Sequence, residues 1–406
     1  MGWLAPTTVL ATAAAVLAAV GLVQALAGGL AAFRFARRRP AALGPTPPIT
    51  LLKPLHGAEP MLEEALESAC RQDYPQWQIV CGVASAEDPA VAVVERLRAR
   101  YPACDIALVI DPTPHGVNGK IGNLINMLPA AKHDLLAISD SDVHTPPDYL
   151  TAVAAAASAP GVGLVTAVYA GLAAPVTLAS RLGATAITHL FLPGALLARA
   201  LGRQDCLGAT MALRRTTLAA IGGLESLADR LADDNLLGRK VRALGLSVGL
   251  APVMVSTTVP EETLSALWRH ELRWSRTIRR LEPAGFAASS VQYPLAWALL
   301  TLILSGGADW AVAGFLVAWV LRAALALAID ARLGLAKSGL ATRAPIWLLP
   351  VRDALSLAVF AASYASDRVE WRGRNMRTAL DKSAVNATSG NARAHPAPAS
   401  DPAPLP

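Results

Sequence analysis

The stretch LLAISDSDVHTPPDYL, from Leu135 to Leu150, decides the fold. Its first residues are apolar and predict a buried strand, which ends at two aspartates, Asp140 and Asp142, separated by one serine. Carboxylates at positions i and i+2 of an extended chain share one face, so the turn after the strand can aim both at one ligand. Hard divalent cations prefer oxygen ligands and complete their coordination shell with phosphates. The pair suits either a metal bound to a nucleotide diphosphate or a simple turn cap, and the rest of the sequence has to decide between them.

Apolar strands alternate with amphipathic helices around this stretch, from about residue 49 to residue 169. Such alternation predicts an α/β domain built on a parallel sheet with helices on both faces. Ligands of such sheets bind beyond the carboxyl ends of the strands. Lys53, Asp88 and Asp140 fall at or just past predicted strand ends, which gathers charged groups on one rim of the sheet. The predicted strands are 49–55, 77–83, 106–110, 134–139 and 161–169, and the predicted helices are 60–72, 89–101 and 120–131.

The composition is too apolar for an ordinary soluble protein. Of the 406 residues, 53% are hydrophobic and only 16% are charged, and the mean hydropathy is +0.40. Thr7–Phe33 carries no charge and is long enough to cross a bilayer. Basic residues follow this run, at Arg34–Arg39, whereas in a cleaved signal peptide, the competing interpretation, they precede it. We therefore expect a transmembrane signal-anchor helix over 6–33, with the following domain in the cytoplasm.

Further apolar segments lie near the other end of the sequence. Val291–Leu304 and Trp310–Ile329 predict a helical hairpin in the membrane. The next apolar segment, 344–365, carries Arg352 and Asp353 near its middle, and such charges are costly in hydrocarbon. We expect this segment to be re-entrant or interfacial, with a third C-terminal span as the alternative.

The remaining charges fit a membrane surface better than nucleic acid. The net charge of +6 comes from basic residues that flank apolar segments, which favours contact with anionic lipid. The four cysteines have no CxxC spacing, so neither a zinc site nor a disulfide framework is expected. The apolar stretch 175–202 is either an amphipathic helix in the membrane interface or a buried core helix. The predicted domains are the anchor at 6–33, a cytoplasmic domain at 45–285, the apolar C-terminal region at 287–366 and a disordered tail at 383–406.

Three other groups of residues can carry chemistry. Asp88 precedes a predicted helix, where it either caps the helix or accepts hydrogen bonds from a nucleobase or ribose. Asp233 and Asp234 are adjacent and repel one another, so one of them can have a raised pKa and act as a general base, or else they form a helix N-terminus. Trp268–Arg280 holds five arginines and two tryptophans, which suit either phosphate binding or a belt at the membrane surface.

In their order along the chain, these groups resemble a known series of motifs. Asp88, the Asp140-x-Asp142 pair, the Asp233-Asp234 pair and Arg273-Trp274 are similar to the D, DxD, D and (Q/R)xxRW motifs of membrane-bound family 2-type glycosyltransferases. His270 departs from the Gln or Arg of the last motif. The resemblance covers about 49–280 and is greatest to the ceramide glucosyltransferase-like branch, and within it to bacterial hopanoid-biosynthesis glycosyltransferases. The segments that carry it are LLKPLHGAEPMLEEALESACRQDYP, GKIGNLINMLPAAKHDLLAISDSDV, GATMALRR, LADDNLLG and LWRHELRWSRTIR.

The resemblance implies a Rossmann-like GT-A glycosyltransferase domain between N- and C-terminal transmembrane helices. The reaction it implies is an inverting displacement on a UDP-sugar, assisted by Mg²⁺ or Mn²⁺. Asp234 would take the proton from the acceptor, Arg273 and Trp274 would close the site, and Asp233 and His270 are secondary candidates. The implied donor-binding residues are Lys53, Asp88, Lys120, Asn123 and Asp140, and the implied metal ligands are Asp140 and Asp142.

The implied acceptor is a membrane lipid whose tail stays in the bilayer. The nearest resemblance implies N-acetylglucosamine transfer to a bacteriohopanepolyol in hopanoid biosynthesis. Transfer of glucose to ceramide, a sphingolipid, is the first alternative, and a polysaccharide synthase or an inactive membrane scaffold is the next. The expected location is the bacterial inner (plasma) membrane, as a multi-pass protein with its catalytic domain in the cytoplasm.

Overall fold

The computed structural model describes residues 6–39, 46–230, 232–334, 339 and 341–366, and the backbone alone of 368–371 and 374–377. The predicted disordered tail at 383–406 lies outside the described residues. The helices are α1 (Pro6–Ala36), α2 (Leu62–Cys70), α3 (Pro89–Arg100), α4 (Gly119–Met127), α5 (Tyr149–Ala157), α6 (Leu178–Ala186), α7 (Leu192–Ala200), α8 (Arg215–Ala220), α9 (Asp233–Ala243), α10 (Leu264–Leu281), α11 (Pro283–Ala288), α12 (Pro294–Leu304), α13 (Asp309–Arg332) and α14 (Leu349–Ser363). The strands are β1 (Ile49–Pro54), β2 (Trp77–Val83), β3 (Asp105–Ile110), β4 (Leu135–Ile138), β5 (Val143–His144), β6 (Val162–Ala173), β7 (Met211–Arg214), β8 (Ser247–Val259), β9 (Arg368–Trp371) and β10 (Arg374–Arg377).

The domain is built on an eight-stranded sheet in the order β3-β2-β1-β4-β7-β6-β8-β5. The first four strands are parallel, with Ile49 opposite both Trp77 and Leu135. The prediction of a parallel sheet is wrong for β7 and β5, because β7 runs antiparallel to both β4 and β6 and β5 runs antiparallel to β8, whereas β6 and β8 are parallel to each other. The sheet is therefore mixed.

The long strands β6 and β8 bring the far edge of the sheet back to the end of β4. Only the turn 139–142 separates β4 from β5, although three strands lie between their positions in the sheet order. Four residues span at most about 14 Å, so the sheet has to curl until the end of β8 approaches the end of β4. As a result Val143 pairs with Thr257, and the two aspartates of the turn lie between the two ends of the sheet.

Apolar cores lie on both faces of the sheet, as the alternating pattern predicts. One core joins α2, α3 and α5 to the sheet, and the other joins α4, α8 and α9 to its opposite face. The apolar side chains of β1 alternate between them, since Leu51 belongs to the first and Leu52 to the second. This layering holds the helix N-termini and strand ends of the site on a rigid support.

Among the described residues, four helices are long and apolar enough to cross a membrane. A bent pair, Pro283–Gln292 followed by α12 at an angle of 65°, passes the same test together. The helix over Leu178–Ala200 is one of the four, yet 56% of its most apolar window is buried in the protein, against 22% for the first helix. The structure thus favours the buried-helix alternative for 175–202. The four helices are Thr7–Ala36, Leu178–Ala200, Asp309–Arg332 and Ile346–Ser363.

Close packing of α1 against the other apolar helices depends on a glycine. A Cβ atom at Gly21 would collide with the backbone oxygen of Val291 and lie 3.2 Å from Cβ of Pro294. We expect Gly21→Ala to lower the free energy of unfolding by about 1–3 kcal/mol, because overpacking forces α1 away from the start of α12. The measurement is thermal unfolding of the full chain in detergent. The control is Gly314→Ala, since Gly314 has open space around it. Equal melting temperatures for the two variants would contradict the prediction.

Candidate active site

A buried lysine holds the turn that carries the two aspartates. Lys53, at the end of β1, is fully buried, and its ammonium group donates to Ser139 Oγ at 3.1 Å and to the backbone oxygens of Asp140 and Val143 at 2.9 and 3.0 Å. Burial lowers the pKa of Lys53 to about 8, against the opposing charge of Asp142. All three N–H groups are used inside the protein, so Lys53 shapes the turn, and a direct contact with the donor stays a prediction.

Lys120 joins the turn to the second pair of acidic residues. It lies in the first turn of α4, with Nζ 2.5 Å from Asp140 Oδ1 and 3.7 Å from Asp233 Oδ2. Asn118 caps this helix by accepting hydrogen bonds from the backbone of Lys120 and Ile121, and its own amide donates to Asp233 Oδ1 at 3.4 Å. Although burial opposes its charge, Asp140 and Asp233 raise the pKa of Lys120. Residues about 90 positions apart in the sequence thus share one cation.

Asp142 and Asp234, the second residues of the two acidic pairs, are disfavoured in their ionised form. Burial and the charge of Asp140 raise the pKa of Asp142 to about 6, although Thr257 Oγ1 donates to its carboxylate at 2.6 Å. Burial and the charge of Asp233 raise the pKa of Asp234 to about 6. A carboxylate of this pKa is ionised at neutral pH and still binds a proton well, which suits a general base.

The residues of the turn fit a divalent cation. Asp140 and Asp142 offer oxygen ligands of the kind that Mg²⁺ and Mn²⁺ prefer, and burial and then the charge of Asp140 raise the pKa of Asp142. No cluster of three or more His, Cys, Asp or Glu side chains with metal-ligand geometry occurs among the described residues. Two carboxylates suffice where phosphate oxygens and water complete the shell.

Two of the expected donor-binding residues make contacts inside the protein. Asp88 caps α3 by accepting from the backbone N–H of Ala90 at 2.9 Å, and it also accepts from the N–H of Gly57 at 3.0 Å. Asn123 donates its amide to the backbone oxygen of Gly82 at 2.7 Å, so it ties α4 to the sheet. Both residues therefore build the walls of the rim. A direct contact of Asp88 with a nucleoside remains a prediction.

The arginine and tryptophan of the last motif lie on α10 in a cluster of their own. The His270 ring meets the Trp274 ring edge-on, with centroids 4.5 Å apart, and its Nδ1 contacts the carboxylate of Glu261. The guanidinium of Arg273 faces the charge of Glu261. Trp274 is exposed. His270 thus orients Glu261, whose negative charge attracts the guanidinium of Arg273. The motif pattern does not reveal this role.

Tyr169 belongs to the site, although no motif in the sequence indicates it. It lies on β6, and its ring contacts that of Phe191 with centroids 4.8 Å apart. Burial and then the charges of Asp234, Asp140 and Asp142 raise its pKa. A tyrosine in an apolar strand has no distinguishing local pattern, so only the fold reveals it.

The arrangement combines the groups that a transfer between two polar molecules requires. Asp140 and Asp142 can hold a cation, Lys120 adds a positive charge at the same rim, and Asp234 can accept a proton. Tyr169 and Phe191 give the rim an apolar wall. Such a site can bind a phosphate-bearing donor and deprotonate the hydroxyl group of an acceptor.

Comparisons with known proteins agree with this description. The model of "Glycosyl transferase family 21" matches residues 9–384. A ceramide glucosyltransferase of Komagataella phaffii is 37% identical over 107 residues, which are 24% of this chain and 21% of that protein. Ceramide glucosyltransferase 1 of Caenorhabditis elegans is 30% identical over 102 residues, 25% of this chain and 22% of that protein. The chain therefore aligns with about a fifth of the length of these relatives.

A solved structure resembles most of the chain. A mannosyltransferase from Pyrobaculum calidifontis, in complex with GDP-Man and Mn²⁺, is 22% identical and has a TM-score of 0.52, over 88% of this chain and 99% of that one. This likeness concerns the fold, and it confirms the predicted GT-A glycosyltransferase fold with apolar helices at both ends.

Replacing the buried lysine tests its role in the turn. We expect Lys53→Met to reduce kcat/KM for the donor by about 100-fold, because an error of 1 Å in the position of Asp140 is costly. The measurement is steady-state kinetics of the purified chain. The matched control is Lys132→Met, which removes an exposed ion pair with Asp105 and should leave the rate unchanged. Full activity of Lys53→Met would refute the role.

The raised pKa of Asp234 predicts a cost in stability. Its folded pKa lies above the ordinary value of 3.8, so the ionised form destabilises the fold above pH 6, and this cost disappears as the pH falls from 6 to 4. We expect Asp234→Asn to be more stable than the unmodified chain by roughly 1–3 kcal/mol at pH 7.5 and equal to it near pH 4. Thermal unfolding across this pH range measures the difference. Asp134→Asn, at an exposed ion pair with Arg214, is the control. A lower stability of Asp234→Asn at pH 7.5 would contradict the prediction.

Proposed function

Because the chain belongs to glycosyl transferase family 21, we propose that it transfers a sugar from a UDP-sugar to a hydroxyl group of a membrane lipid. The family makes the chain a glycosyltransferase, and the match to ceramide glucosyltransferases confirms the predicted branch. The donor nucleotide, the acceptor and the roles of individual residues are parts of the proposal.

One observation carries the proposal, namely the convergence of two acidic pairs on Lys120. Asp140 and Asp233 both face its ammonium group, so the turn after β4 and the start of α9 meet at the rim. A donor diphosphate bound at Asp140 and Asp142 would therefore place its sugar close to Asp234. A donor and a base in one small site are what a single displacement requires.

The proposed reaction inverts the anomeric carbon in one step. The acceptor oxygen forms a bond to this carbon while the bond from the carbon to the diphosphate oxygen breaks. Asp234 accepts the proton of the acceptor hydroxyl, and its pKa of about 6 keeps it ionised at neutral pH. Lys120 stabilises the negative charge of the leaving UDP. Arg273 and Trp274 close the site from α10.

A divalent cation belongs to the proposed site. When bound, Mg²⁺ or Mn²⁺ neutralises negative charge on the diphosphate. Asp140 and Asp142 would hold it, and the mannosyltransferase of similar fold is described in complex with Mn²⁺. Lys53 holds the turn that places both carboxylates at the end of β4, where they could bind the cation.

The apolar helices supply the reason for a lipid acceptor. A lipid keeps its tail in the bilayer and presents its polar head at the surface, where α10 carries exposed Trp274 and Ile278. Arg37–Arg39 follow α1, which orients the catalytic domain toward the cytoplasm. The proposed location is the bacterial inner (plasma) membrane.

For the substrates, we propose N-acetylglucosamine as the sugar and a bacteriohopanepolyol as the lipid. This choice rests on the resemblance of the motif segments to hopanoid-biosynthesis glycosyltransferases. The second candidate is transfer of glucose to ceramide, which the names of the curated relatives favour. Both candidates need the same mechanism, so they differ only in the sugar pocket and the lipid approach.

A transfer assay in nanodiscs tests the function. Labelled UDP-N-acetylglucosamine and UDP-glucose are each offered with a polyhydroxylated hopanoid and with ceramide, with and without Mn²⁺ or Mg²⁺. We expect metal-dependent transfer of N-acetylglucosamine to the hopanoid. Asp234→Asn should reduce the rate by at least about 100-fold, because a general base typically contributes that much.

The outcomes separate the parts of the proposal. Transfer of glucose to ceramide alone would keep the mechanism and refute the hopanoid assignment. Transfer without a metal would refute the cation, and a fully active Asp234→Asn would refute the base. If no lipid accepts a sugar while UDP-sugar still binds, the lipid acceptor itself is wrong.

A further inference from the structure

The last apolar helix, α14, contains two charged residues that the proposed reaction does not use. Arg352 and Asp353 are both fully buried. They are adjacent in the sequence, but each has its charged partner on another helix. Arg352 forms a bidentate ion pair with Glu271 of α10, with distances of 2.8 Å from Nη1 and 2.7 Å from Nη2. A helix of the apolar C-terminal region is thereby joined to the helix that carries Arg273.

The guanidinium group of Arg352 is held by further bonds. Its Nε and Nη2 donate to Ser356 Oγ at 3.1 and 2.9 Å, and Nη1 donates to the backbone oxygen of Leu182 at 3.3 Å. Leu267 of α10 packs in the same apolar cluster as Leu182. The planar guanidinium fork fixes direction as well as distance, so this joint sets the rotation of α10 about its axis.

Asp353 anchors α14 on its other side. Its carboxylate accepts a hydrogen bond from the backbone N–H of Leu295 at 3.0 Å and lies 3.5 Å from Nη2 of Arg322. Leu295 belongs to α12 and Arg322 to α13. The apolar helices α12 and α13 therefore fix the position of α14. Through the ion pair of Arg352 with Glu271, α14 in turn holds α10.

Glu271 stands within one helical turn of the proposed active-site residues. It precedes Arg273 by two positions and Trp274 by three, and residues three positions apart neighbour one another on a helix surface. A rotation of α10 that releases Glu271 would also move both of these side chains relative to the rim. The pair with Arg352 is thus placed to decide where they point.

We propose that Glu271 is a positioning residue, which through its ion pair with Arg352 sets the orientation of Arg273 and Trp274 over the site. The inference rests on the proposed function for its effect on rate. The effect of the ion pair on α10, in contrast, can be tested without any substrate.

The first experiment measures hydrogen–deuterium exchange of the full chain in detergent. We expect Glu271→Gln and Arg352→Met each to increase exchange in α10, at 264–281, while exchange in β1–β4 stays unchanged. The matched control is Glu63→Gln, which removes an exposed pair with Arg96 on α2 and α3 and should leave α10 unchanged. Unchanged exchange in α10 would overturn the proposal. A rise throughout the sheet as well would also overturn it, because the pair would then support only the fold.

The second experiment measures steady-state transfer. We expect Glu271→Gln to lower kcat by about 100-fold with little change in the KM for the UDP-sugar, because the donor-binding residues lie outside α10. The double variant Glu271→Gln/Arg352→Met should lose no more kcat than either single variant, since both substitutions break the same ion pair. An unchanged kcat, or a parallel loss of kcat and donor binding, would overturn the positioning role. If the unmodified chain transfers to no lipid, the proposed function fails and the exchange in α10 decides the inference alone.

Discussion

One buried ammonium group fixes the geometry on which the site depends. The chain leaves the sheet after β4 and enters β5 through a turn, and Lys53 donates to the backbone oxygens of Asp140 and Val143 within it. The oxygen of Asp140 also accepts from the N–H of Val143 at 3.3 Å, so Lys53 adds to the hydrogen bonds that hold the turn together. The same cation lies below two carboxylates that repel one another. The position of the acidic turn therefore depends on a residue with no N–H group left for a ligand.

In the part of the chain that the structure describes, Lys53 and Lys120 are the lysines at the rim beside Asp140, Asp142, Asp233 and Asp234. Lys120 lies between Asp140 and Asp233, while Asp142 and Asp234 are left with raised pKa values. A diphosphate would add further negative charge, so it can bind beside Asp140 only together with another cation. This balance is the physical reason for a metal in the proposed mechanism. The same balance makes the folded protein less stable than it would be with neutral residues at these positions. Such a cost is common where function requires like charges to lie close together.

The first half of the sheet follows from local patterns, whereas the second half does not. Each of β1–β4 is an apolar run bounded by turn residues, and their parallel order follows from the helices between them. The insertion of β7 between β4 and β6 depends on pairings between residues far apart, such as Leu135 with Arg214, which no local pattern encodes. The site shows the same division. Spacing singled out the two acidic pairs, and the resemblance added Asn123, whose amide binds the backbone, but neither gave a sign of Tyr169.

The charges of α14 show why an apolar helix can contain ions without being unstable. Successive residues of a helix point about 100° apart, so Arg352 and Asp353 cannot share one partner and instead face two different neighbours. Each ion is matched by an opposite charge and by hydrogen bonds, which is the condition for burying it. Loss of either partner would leave a buried charge unpaired, so α14 is held to α10 on one side and to α12 and α13 on the other. The orientation of Arg273 and Trp274 is therefore a property of the apolar helices as much as of the catalytic domain.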